Sequence, residues 1–285
     1  LTSALHPSTA RAEDGSSHFT VRDIEDPSGH ALDAFFASLD RTANKQAGAV
    51  TRIAHYGDSF IVGDMITKTL RQLYQERYGN AGPGYVLAGR PWDWYHHDGI
   101  RNGASNGWNI YRASNGGPSD GFFGYGGVTL TTRRNNRRVW FSTDETETGP
   151  LQVSSIDIHY LAQPGGGDIE VIVDDEHLLT LSTEGEESHS AFHRVDVPLG
   201  PHEFVLRTAG GPVRLFGAAL ERNEVGVVYD SLGLNGACTD VLGRIDGEHL
   251  REQYSHRQPN LIVVAFGANE SNRPGLVADY HQTIT

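Results

Sequence analysis

The stretch VTRIAHYGDSFIVGDMITKTLRQLYQERYG, residues 50–79, decides the fold. Residues 50–56 have the short apolar pattern of a buried strand, and the polar turn Gly57-Asp58-Ser59 follows it. From 61 to 78 apolar residues recur at helical spacing and predict one amphipathic helix. The face that we expect to pack inward comprises Ile66, Leu70, Leu73 and Tyr74. A strand, a tight turn and a helix in this order predict an α/β unit.

The same α/β character returns near the end of the chain. Residues 226–229 are a second buried-strand signal, followed by Ser231-Leu232-Gly233-Leu234-Asn235-Gly236. Residues 261–266, Leu-Ile-Val-Val-Ala-Phe, are continuously apolar, which is typical of a central parallel strand. Gly267-Ala268-Asn269-Glu270 comes directly after it, and residues 240–255 have a helical pattern between the two strands.

The middle of the chain differs in composition and in its pattern of apolar residues. Residues 84–127 are rich in Gly, Asn and aromatic residues, and short alternating stretches follow up to 220. Several short strands separated by turns predict an antiparallel β-sandwich or jelly roll. The predicted strands lie around 139–141, 156–161, 169–173, 195–197, 204–206 and 213–220. We therefore predict four segments: a flexible lead-in (1–29), a first α/β part (30–85), an inserted β-sandwich domain (86–222) and a second α/β part (223–285).

Composition excludes several classes of function. The net charge of −13 disfavours nucleic-acid binding and docking on anionic lipid, since both need a surplus of Lys and Arg. No stretch reaches the roughly 18 apolar residues of a membrane helix. With Cys238 as the one cysteine, the chain has no internal disulfide and no cysteine-based metal cluster, and nothing indicates a role for this thiol beyond packing.

Three polar motifs each follow a predicted parallel strand and contain the candidate catalytic residues. Ligands bind at the carboxyl ends of such strands, so the motifs containing Ser59, Gly236 and Asn269 are expected to converge on one crevice. Ser59 starts a predicted helix, whose N-terminus favours negative charge on its oxygen. The backbone N–H groups of Ser59 and Gly236 and the side-chain amide of Asn269 could hold an oxyanion. Gly236 has no Cβ, so a substrate could approach its N–H closely.

Asp58 is expected to anchor the turn by hydrogen bonds, although Gly57-Asp58-Ser59 could equally be an ordinary capping turn.

With these motifs in order, the sequence resembles the SGNH (GDSL-type) hydrolases. The three matching blocks are His55-Tyr56-Gly57-Asp58-Ser59, Leu232-Gly233-Leu234-Asn235-Gly236-Ala237 and Gly267-Ala268-Asn269-Glu270. The resemblance implies Ser59 as nucleophile and Gly236 and Asn269 as oxyanion donors. It also implies a flavodoxin-like, three-layer core. The layout is similar to the peptidoglycan O-acetylesterase branch, in which a β-rich, carbohydrate-module-like domain separates the first two blocks.

The sequence departs from the family pattern in two places. Glu270 stands where the third block usually has Asp, and we expect its role to be structural. The family's catalytic histidine lies in a later Asp-x-x-His block, and His281, the one histidine after Asn269, has Ala278 three residues before it. A serine without a base is a poor nucleophile. We therefore expect the chain to be incomplete at its C-terminus, with Asp-x-x-His supplied by a further segment or a second chain.

Other polar and aromatic clusters have plainer interpretations. His96-His97-Asp98 resembles a metal-binding fragment, but a surface or substrate-edge loop is the favoured interpretation because no third ligand is placed by the sequence. His189 and His193 are four apart in a β context, where helical zinc geometry does not apply. One aromatic group could be core or a sugar-stacking platform. It comprises Trp92, Trp94, Tyr95 and Trp108.

These observations predict a serine esterase that removes O-acetyl groups from a cell-wall or extracellular glycan. We expect an acetylated glycan as the partner, no metal or organic cofactor, and a secreted or periplasmic location. The glycan and the location come from the family resemblance. Two alternatives stay open: a catalytically inactive carbohydrate-binding or scaffold protein on the same core, and a lipase or thioesterase.

Overall fold

The computed structural model describes residues 23–147, 149–272 and 275. Its helices are α1 (Asp33–Ala43), α2 (Ser59–Val62), α3 (Met65–Tyr78) and α4 (Gly247–Arg257), with 3-10 turns at Ala113–Asn115, Thr239–Arg244 and Glu270–Asn272. Within the described ranges, none of the helices has the length and apolar character that a membrane span requires. The strands are β1 (Val50–Gly57), β2 (Gly84–Leu87), β3 (Ile100–Ala104), β4 (Asn109–Arg112), β5 (Val128–Thr132), β6 (Arg138–Thr143), β7 (Glu145–Thr146), β8 (Gly149–Pro150), β9 (Val153–Ala162), β10 (Asp168–Val173), β11 (Glu176–Ser182), β12 (His189–Gly200), β13 (Glu203–Ala209), β14 (Val213–Glu221), β15 (Gly226–Gly233) and β16 (Leu261–Ala265).

A parallel sheet holds the two ends of the described fold together. Its order is β15-β1-β16, so strands that are about 170 residues apart in sequence are neighbours. Gly57 at the end of β1 pairs with Gly233 on one side and Ala265 on the other. The expectation that 261–266 is a central strand is wrong for the described residues, because β1 is the middle strand. Ile262 and Val264 of β16 are exposed, unlike residues of a covered central strand.

Successive residues of the parallel strands face two different packing layers, because side chains alternate along a strand. Ile53 packs with α1 and with Val227 and Tyr229 of β15 in one buried cluster. Ala54 and Tyr56 belong to a second, larger cluster that is continuous with the antiparallel part of the fold. The parallel sheet therefore lies between helices on one face and α4 with the antiparallel sheets on the other.

The predicted helix 61–78 is two helices, since the chain breaks at Gly63-Asp64. Asp64 has a φ of 57° and is buried, where its carboxylate accepts hydrogen bonds from Thr67 (2.5 Å) and Arg71 (2.5 Å). This ion pair turns the polar side of α3 inward. The predicted apolar face is consequently wrong for Ile66 and Leu73, which are exposed. Its other two members, Leu70 and Tyr74, pack against the smaller cluster as expected.

The antiparallel part consists of two larger sheets. Their strand orders are β11-β10-β13-β6-β3 and β12-β9-β14-β5-β4, with β2 also paired to β14, and β7 and β8 form a separate hairpin. Buried side chains from both sheets belong to the same cluster. Each of the six predicted strand positions falls inside an observed strand. The general prediction of an α/β part combined with an antiparallel β part is confirmed, whereas the jelly-roll topology and the segment boundaries stay predictions.

The predicted helix 240–255 is divided in the structure. The helical pattern 240–255 is a 3-10 turn followed by α4, because the Asp246 side chain caps a new helix by accepting from the N–H groups of Glu248 and His249.

The predicted flexible lead-in, residues 1–29, lies mostly outside the described residues, which begin at residue 23. Ala278 and His281 also lie outside the described residues.

A buried network of charges connects the parallel sheet to the antiparallel sheets. Arg257, at the end of α4, donates two hydrogen bonds to Asp230 of β15 (2.7 and 2.9 Å) and also contacts Glu221 of β14. Arg52 of β1 donates to the same Glu221 at 2.8 and 3.0 Å. Asp230 additionally accepts from the backbone N–H of Tyr85 at 2.8 Å. We call Arg52, Glu221, Asp230 and Arg257 the charge network.

We predict that this network makes the protein sensitive to acid. Burial alone raises the pKa of Glu221, but the charges of Arg257 and Arg52 outweigh it and lower the pKa to about 2. The stabilisation is therefore complete above the ordinary Glu pKa of 4.5 and is lost as the pH falls towards 2. Urea unfolding followed across this range should show the free energy of unfolding decreasing.

The matched test is Glu221→Gln against Glu186→Gln, an exposed glutamate. Glu221→Gln should lose about 3–5 kcal/mol at neutral pH, because Arg257 then has one partner fewer in a buried site. Its stability should also depend less on pH than that of the wild type between 4.5 and 2. If the two variants gave parallel pH profiles, the network would not be the source of the acid sensitivity.

Candidate active site

Ser59 is the first residue of α2, immediately after the middle strand of the parallel sheet. The buried Asp58 caps this helix, with its side chain accepting from the N–H of Phe60 at 3.1 Å. Ser59 itself is exposed. Asp58 thus anchors the turn, with Ser59 exposed beside it. Since α2 has four residues, its dipole contributes less at Ser59 than the long helix that the sequence predicted.

Two glycines let α2 lie directly against the ends of the strands. A Cβ on Gly57 would collide with the side chain of Ile61, and one on Gly233 would collide with the backbone of Ile61 and Val62. The helix that carries Ser59 therefore packs on the strand that leads to the glycine block without an intervening side chain. This close approach sets the position of the turn relative to β15.

The glycine block is tied to the end of β1. The N–H of Leu234 donates to the carbonyl of Gly57 at 2.9 Å, which extends the strand pairing by one residue. The chain then turns, with Ala237 donating to the carbonyl of Leu234 at 3.1 Å. Gly236 lies at the corner with a φ of 70°, a left-handed conformation that favours glycine.

The asparagine block reaches the glycine block through its side chains. Asn269 donates from Nδ2 to the carbonyl of Ala237 at 2.8 Å, which uses one of its two amide hydrogens. The buried Glu270 accepts from the N–H of Thr239 at 2.6 Å and from the N–H of Gly267 at 3.0 Å. One carboxylate therefore bridges both loops, a structural role that fits the expectation for Glu270.

The structure thus brings two of the three blocks into direct contact and places the third on the strand between them. Gly236 and Asn269 are one hydrogen bond apart through Ala237. Ser59 follows β1, which lies between β15 and β16. Across residues 23–147 and 149–272, no histidine makes a hydrogen bond to Ser59.

A small cavity of about 210 Å³ opens at Gly236. Its far wall is Ser114 and Asn115, next to β4 of the antiparallel part. Arg244 joins the two walls, donating to the carbonyls of Ala113 and Ser114 at 3.2 Å and pairing with Asp240 at 2.8 Å. The Ser114 hydroxyl is buried and makes no hydrogen bond to the described residues. These polar residues are not predictable from the sequence, because nothing in the aperiodic stretch around Ser114 distinguishes it from a loop.

A second cavity of about 330 Å³ adjoins the serine turn. It is lined mostly by apolar side chains. They are Phe60, Ile61, Ile66, Ala265, Phe266 and Ala268, together with His55 and Asp58. His55 is buried and hydrogen-bonded through Nδ1 to the hydroxyl of Tyr229 at 2.9 Å, and burial lowers its pKa.

The segment His96-His97-Asp98 contacts the buried carboxylate of Asp64. The backbone N–H of Asp98 donates to the Asp64 carboxylate at 2.8 Å, and the fully buried His97 lies 4.0 Å from it. Burial, helped by the charge of Arg71, lowers the pKa of His97 to about 4, so this imidazole is neutral at neutral pH. Neither this fragment nor the pair His189 and His193 forms a metal-ligand cluster in the described chain.

The predicted aromatic group divides into core and surface. Trp92 and Tyr95 are buried, and the hydroxyl of Tyr95 accepts from the N–H of Leu87 at 3.0 Å. Trp108 packs against the larger cluster and donates to the carbonyl of Arg138 at 3.2 Å. Trp94 is 53% exposed and is the member of this group that could stack on a sugar ring.

Comparisons with known proteins give a structural likeness only. No protein-family model matches the chain, and no curated protein matches it. A solved structure of a peptidoglycan O-acetylesterase has a TM-score of 0.69 at 19% identity, covering 88% of this chain. The alignment spans 65% of the length of that structure. This likeness shows a shared fold.

Two carbohydrate-binding modules are similar over a smaller part. A Clostridium stercorarium module solved with cellobiose has a TM-score of 0.29 at 14% identity, over 44% of this chain and 87% of the module. A family 6 carbohydrate-binding module has a TM-score of 0.30 at 15% identity, over 44% of this chain and 94% of that one.

We predict that Glu270→Gln loosens both loops of the candidate site. An amide can accept through one atom only, so one of the two backbone N–H groups loses its partner in a buried position, at a cost of about 1–3 kcal/mol. Hydrogen exchange should become faster at the amides of Thr239 and Gly267. The exposed Glu76 supplies the control, Glu76→Gln. Unchanged exchange at both amides in Glu270→Gln would contradict the bridging role.

Proposed function

We propose that this chain carries the serine, glycine and asparagine of an esterase active site, and that the enzyme removes O-acetyl groups from a glycan. The observation that supports this most is the order β15-β1-β16, from which the three blocks emerge at one edge of the sheet. The fold shared with a peptidoglycan O-acetylesterase agrees with it.

In the proposed reaction Ser59 is the nucleophile. Its Oγ forms a bond to the ester carbonyl carbon as its proton passes to a histidine base, and the carbonyl π electrons move onto the oxygen. The tetrahedral intermediate collapses, the sugar oxygen leaves with the proton from that histidine, and an acetyl-serine remains. Water, activated by the same base, then releases acetate and restores Ser59.

The oxyanion would lie between three donors. Within the described residues, the backbone N–H groups of Ser59 and Gly236 donate to no protein acceptor, and Asn269 retains one amide hydrogen. These groups are therefore available to an oxygen with developing charge. A donor of this kind typically contributes about 3 kcal/mol to lowering the barrier.

We propose that the base is the histidine of an Asp-x-x-His pair, as in the family that the sequence resembles. The aspartate would hold the imidazole in the tautomer that accepts the serine proton. This pair would come from a further segment or from a second chain.

The polar cavity beside Gly236 supports a short acyl group attached to a sugar. Its volume of about 210 Å³ and its lining by Ser114, Asn115 and Asp240 suit a small ester and hydroxyl groups better than a long hydrocarbon chain. Arg244 and the Ser114 hydroxyl, which has no hydrogen-bond partner among the described residues, would then orient the sugar.

A second candidate, a hydrolase for longer acyl esters, is favoured by one observation. The apolar cavity of about 330 Å³ touches Asp58 and Phe60, the two neighbours of Ser59. A medium acyl chain could occupy it if the ester carbonyl lay over the serine.

The first test is chemical identification of the nucleophile. A fluorophosphonate should label the full-length protein once, and mass spectrometry should locate the label on Ser59. Ser59→Ala should lose the label and reduce hydrolysis of 4-nitrophenyl acetate at least ~10³-fold, whereas the exposed control Ser188→Ala should retain both. Equal rates for Ser59→Ala and wild type would remove Ser59 as nucleophile. The absence of both labelling and hydrolysis in the full-length wild-type protein would favour the non-catalytic, carbohydrate-binding alternative.

The second test separates the two substrate classes. We expect acetyl esters and an acetylated glycan to be hydrolysed faster than octanoyl esters, because the polar cavity lies at the proposed oxyanion donor Gly236. Ile66→Trp, which would partly fill the apolar cavity, should leave acetyl-ester turnover unchanged. If octanoyl turnover were faster and fell selectively in this variant, the longer-acyl function would replace the first.

A further inference from the structure

One side-chain cluster lies outside the candidate active site and has no role in it. Asp157 and His159 are two residues apart on β9, so both side chains project from the same face of the strand. His256 comes from the last turn of α4 and reaches these two residues, with its ring centroid 5.4 Å from that of His159. One ligand atom from each of the three residues lies within 4.8 Å of the others.

The geometry within the cluster is tight. The Asp157 carboxylate is 2.6 Å from Nε2 of His256 and 3.5 Å from Nε2 of His159. The side chains of His159 and Asp157 are 0% and 13% exposed, and that of His256 is 35% exposed. The cluster is therefore closed on the protein side and open to solvent at His256.

Aromatic packing fixes the two imidazole rings. His256 is stacked on Phe192, with ring centroids 3.7 Å apart and planes within 3°. His159 has the edges of Phe192 and Tyr85 against it, at centroid distances of 4.8 and 5.1 Å. Ring orientation is thus set before any ligand arrives, which is a property of a preorganised site.

The cluster leaves three buried polar atoms without a hydrogen-bond partner among the described residues. They are Nδ1 and Nε2 of His159 and Oδ1 of Asp157. Leaving such atoms unpaired in the interior is costly, so native proteins rarely retain several together. An ion pair between His256 and Asp157 accounts for the 2.6 Å contact, whereas Nε2 of His159 lies 3.5 Å from the same carboxylate and Nδ1 of His159 has no hydrogen-bond partner among the described residues.

We propose that Asp157, His159 and His256 bind a divalent first-row transition metal ion, with zinc the ion that these donors favour. Two imidazoles and one carboxylate are ligand types that zinc takes at about 2.0–2.2 Å, which sets ligand atoms roughly 3.3 Å apart in a tetrahedral site. The contact to His159 is already close to this value, and that to His256 would open slightly. The ion would accept lone pairs from Nε2 of His159, from Nε2 of His256 and from the Asp157 carboxylate, and one water would fill the fourth position.

Arg257 is the neighbouring cation, and besides burial its charge contributes to lowering the pKa of His159. Arg257 follows His256 in sequence, but its guanidinium is already matched by Asp230 and Glu221. Asp157 is therefore left as the carboxylate that would neutralise the ion. Bound metal would join the end of α4 to β9, the strand between β12 and β14 in the six-stranded sheet.

The test is metal binding by the full-length, untagged protein after treatment with a chelator. We expect one zinc ion per chain by elemental analysis, an increase in the unfolding temperature on adding zinc, and reversal by chelator. Cobalt(II) should give the visible absorption of a four-coordinate site with nitrogen ligands. Binding of neither metal, or a stoichiometry well above one, would overturn the proposal.

The matched variants are His256→Gln and Asp157→Asn, with His177→Gln as the control from an exposed position on β11. The first two should weaken zinc binding at least ~100-fold, and the control should bind like wild type. His256 is partly exposed, so its replacement tests binding without removing a core side chain. Should a variant unfold, line broadening of the His159 and His256 ring signals by cobalt in the wild-type protein decides the matter. Signals that stay sharp would contradict the site.

Discussion

The buried charge network is the constraint on which the rest of the structure depends. Arg257 comes from α4, Asp230 and Arg52 from the parallel sheet, and Glu221 from the antiparallel sheets. Three of these charges are buried and Arg52 is half-buried. Removing them from water is expensive, and the cost is offset only when all the partners are in place. The network therefore specifies one arrangement of the helix and the two kinds of sheet, because any displacement leaves a charge buried without its partner.

The candidate site depends on the same placement of strands but is completed by backbone contacts. The close approach of α2 to Gly233 sets the serine turn against β15, and Glu270 bridges the glycine and asparagine loops. Neither device uses a flexible surface side chain. Loops that are held by buried hydrogen bonds keep their donors in place before a substrate binds, which is the condition for electrostatic stabilisation of an oxyanion.

The last two residues of α4, His256 and Arg257, lie in different electrostatic surroundings. Arg257 points into the charge network and finds two carboxylates there. His256, one residue earlier, reaches Asp157 and His159 on β9, where buried polar atoms stay unpaired. The charge of Arg257 is paired by protein carboxylates alone. At His256, an ion would complete the contact between the helix and the six-stranded sheet.

Local patterns of the sequence determined the strands, the α/β and antiparallel character, and the three polar blocks, because alternation and turn residues act over a few positions. The break at Asp64 and the exposure of Ile66 and Leu73 were not predictable in this way, since they follow from an ion pair with Arg71 that faces inward. The order β15-β1-β16 and the meeting of Ser114 with Gly236 across one cavity were decided by tertiary structure. The same holds for Asp157, His159 and His256: two of them lie on one strand, but the third is about a hundred residues away, and only the packing of α4 on β9 brings it within reach.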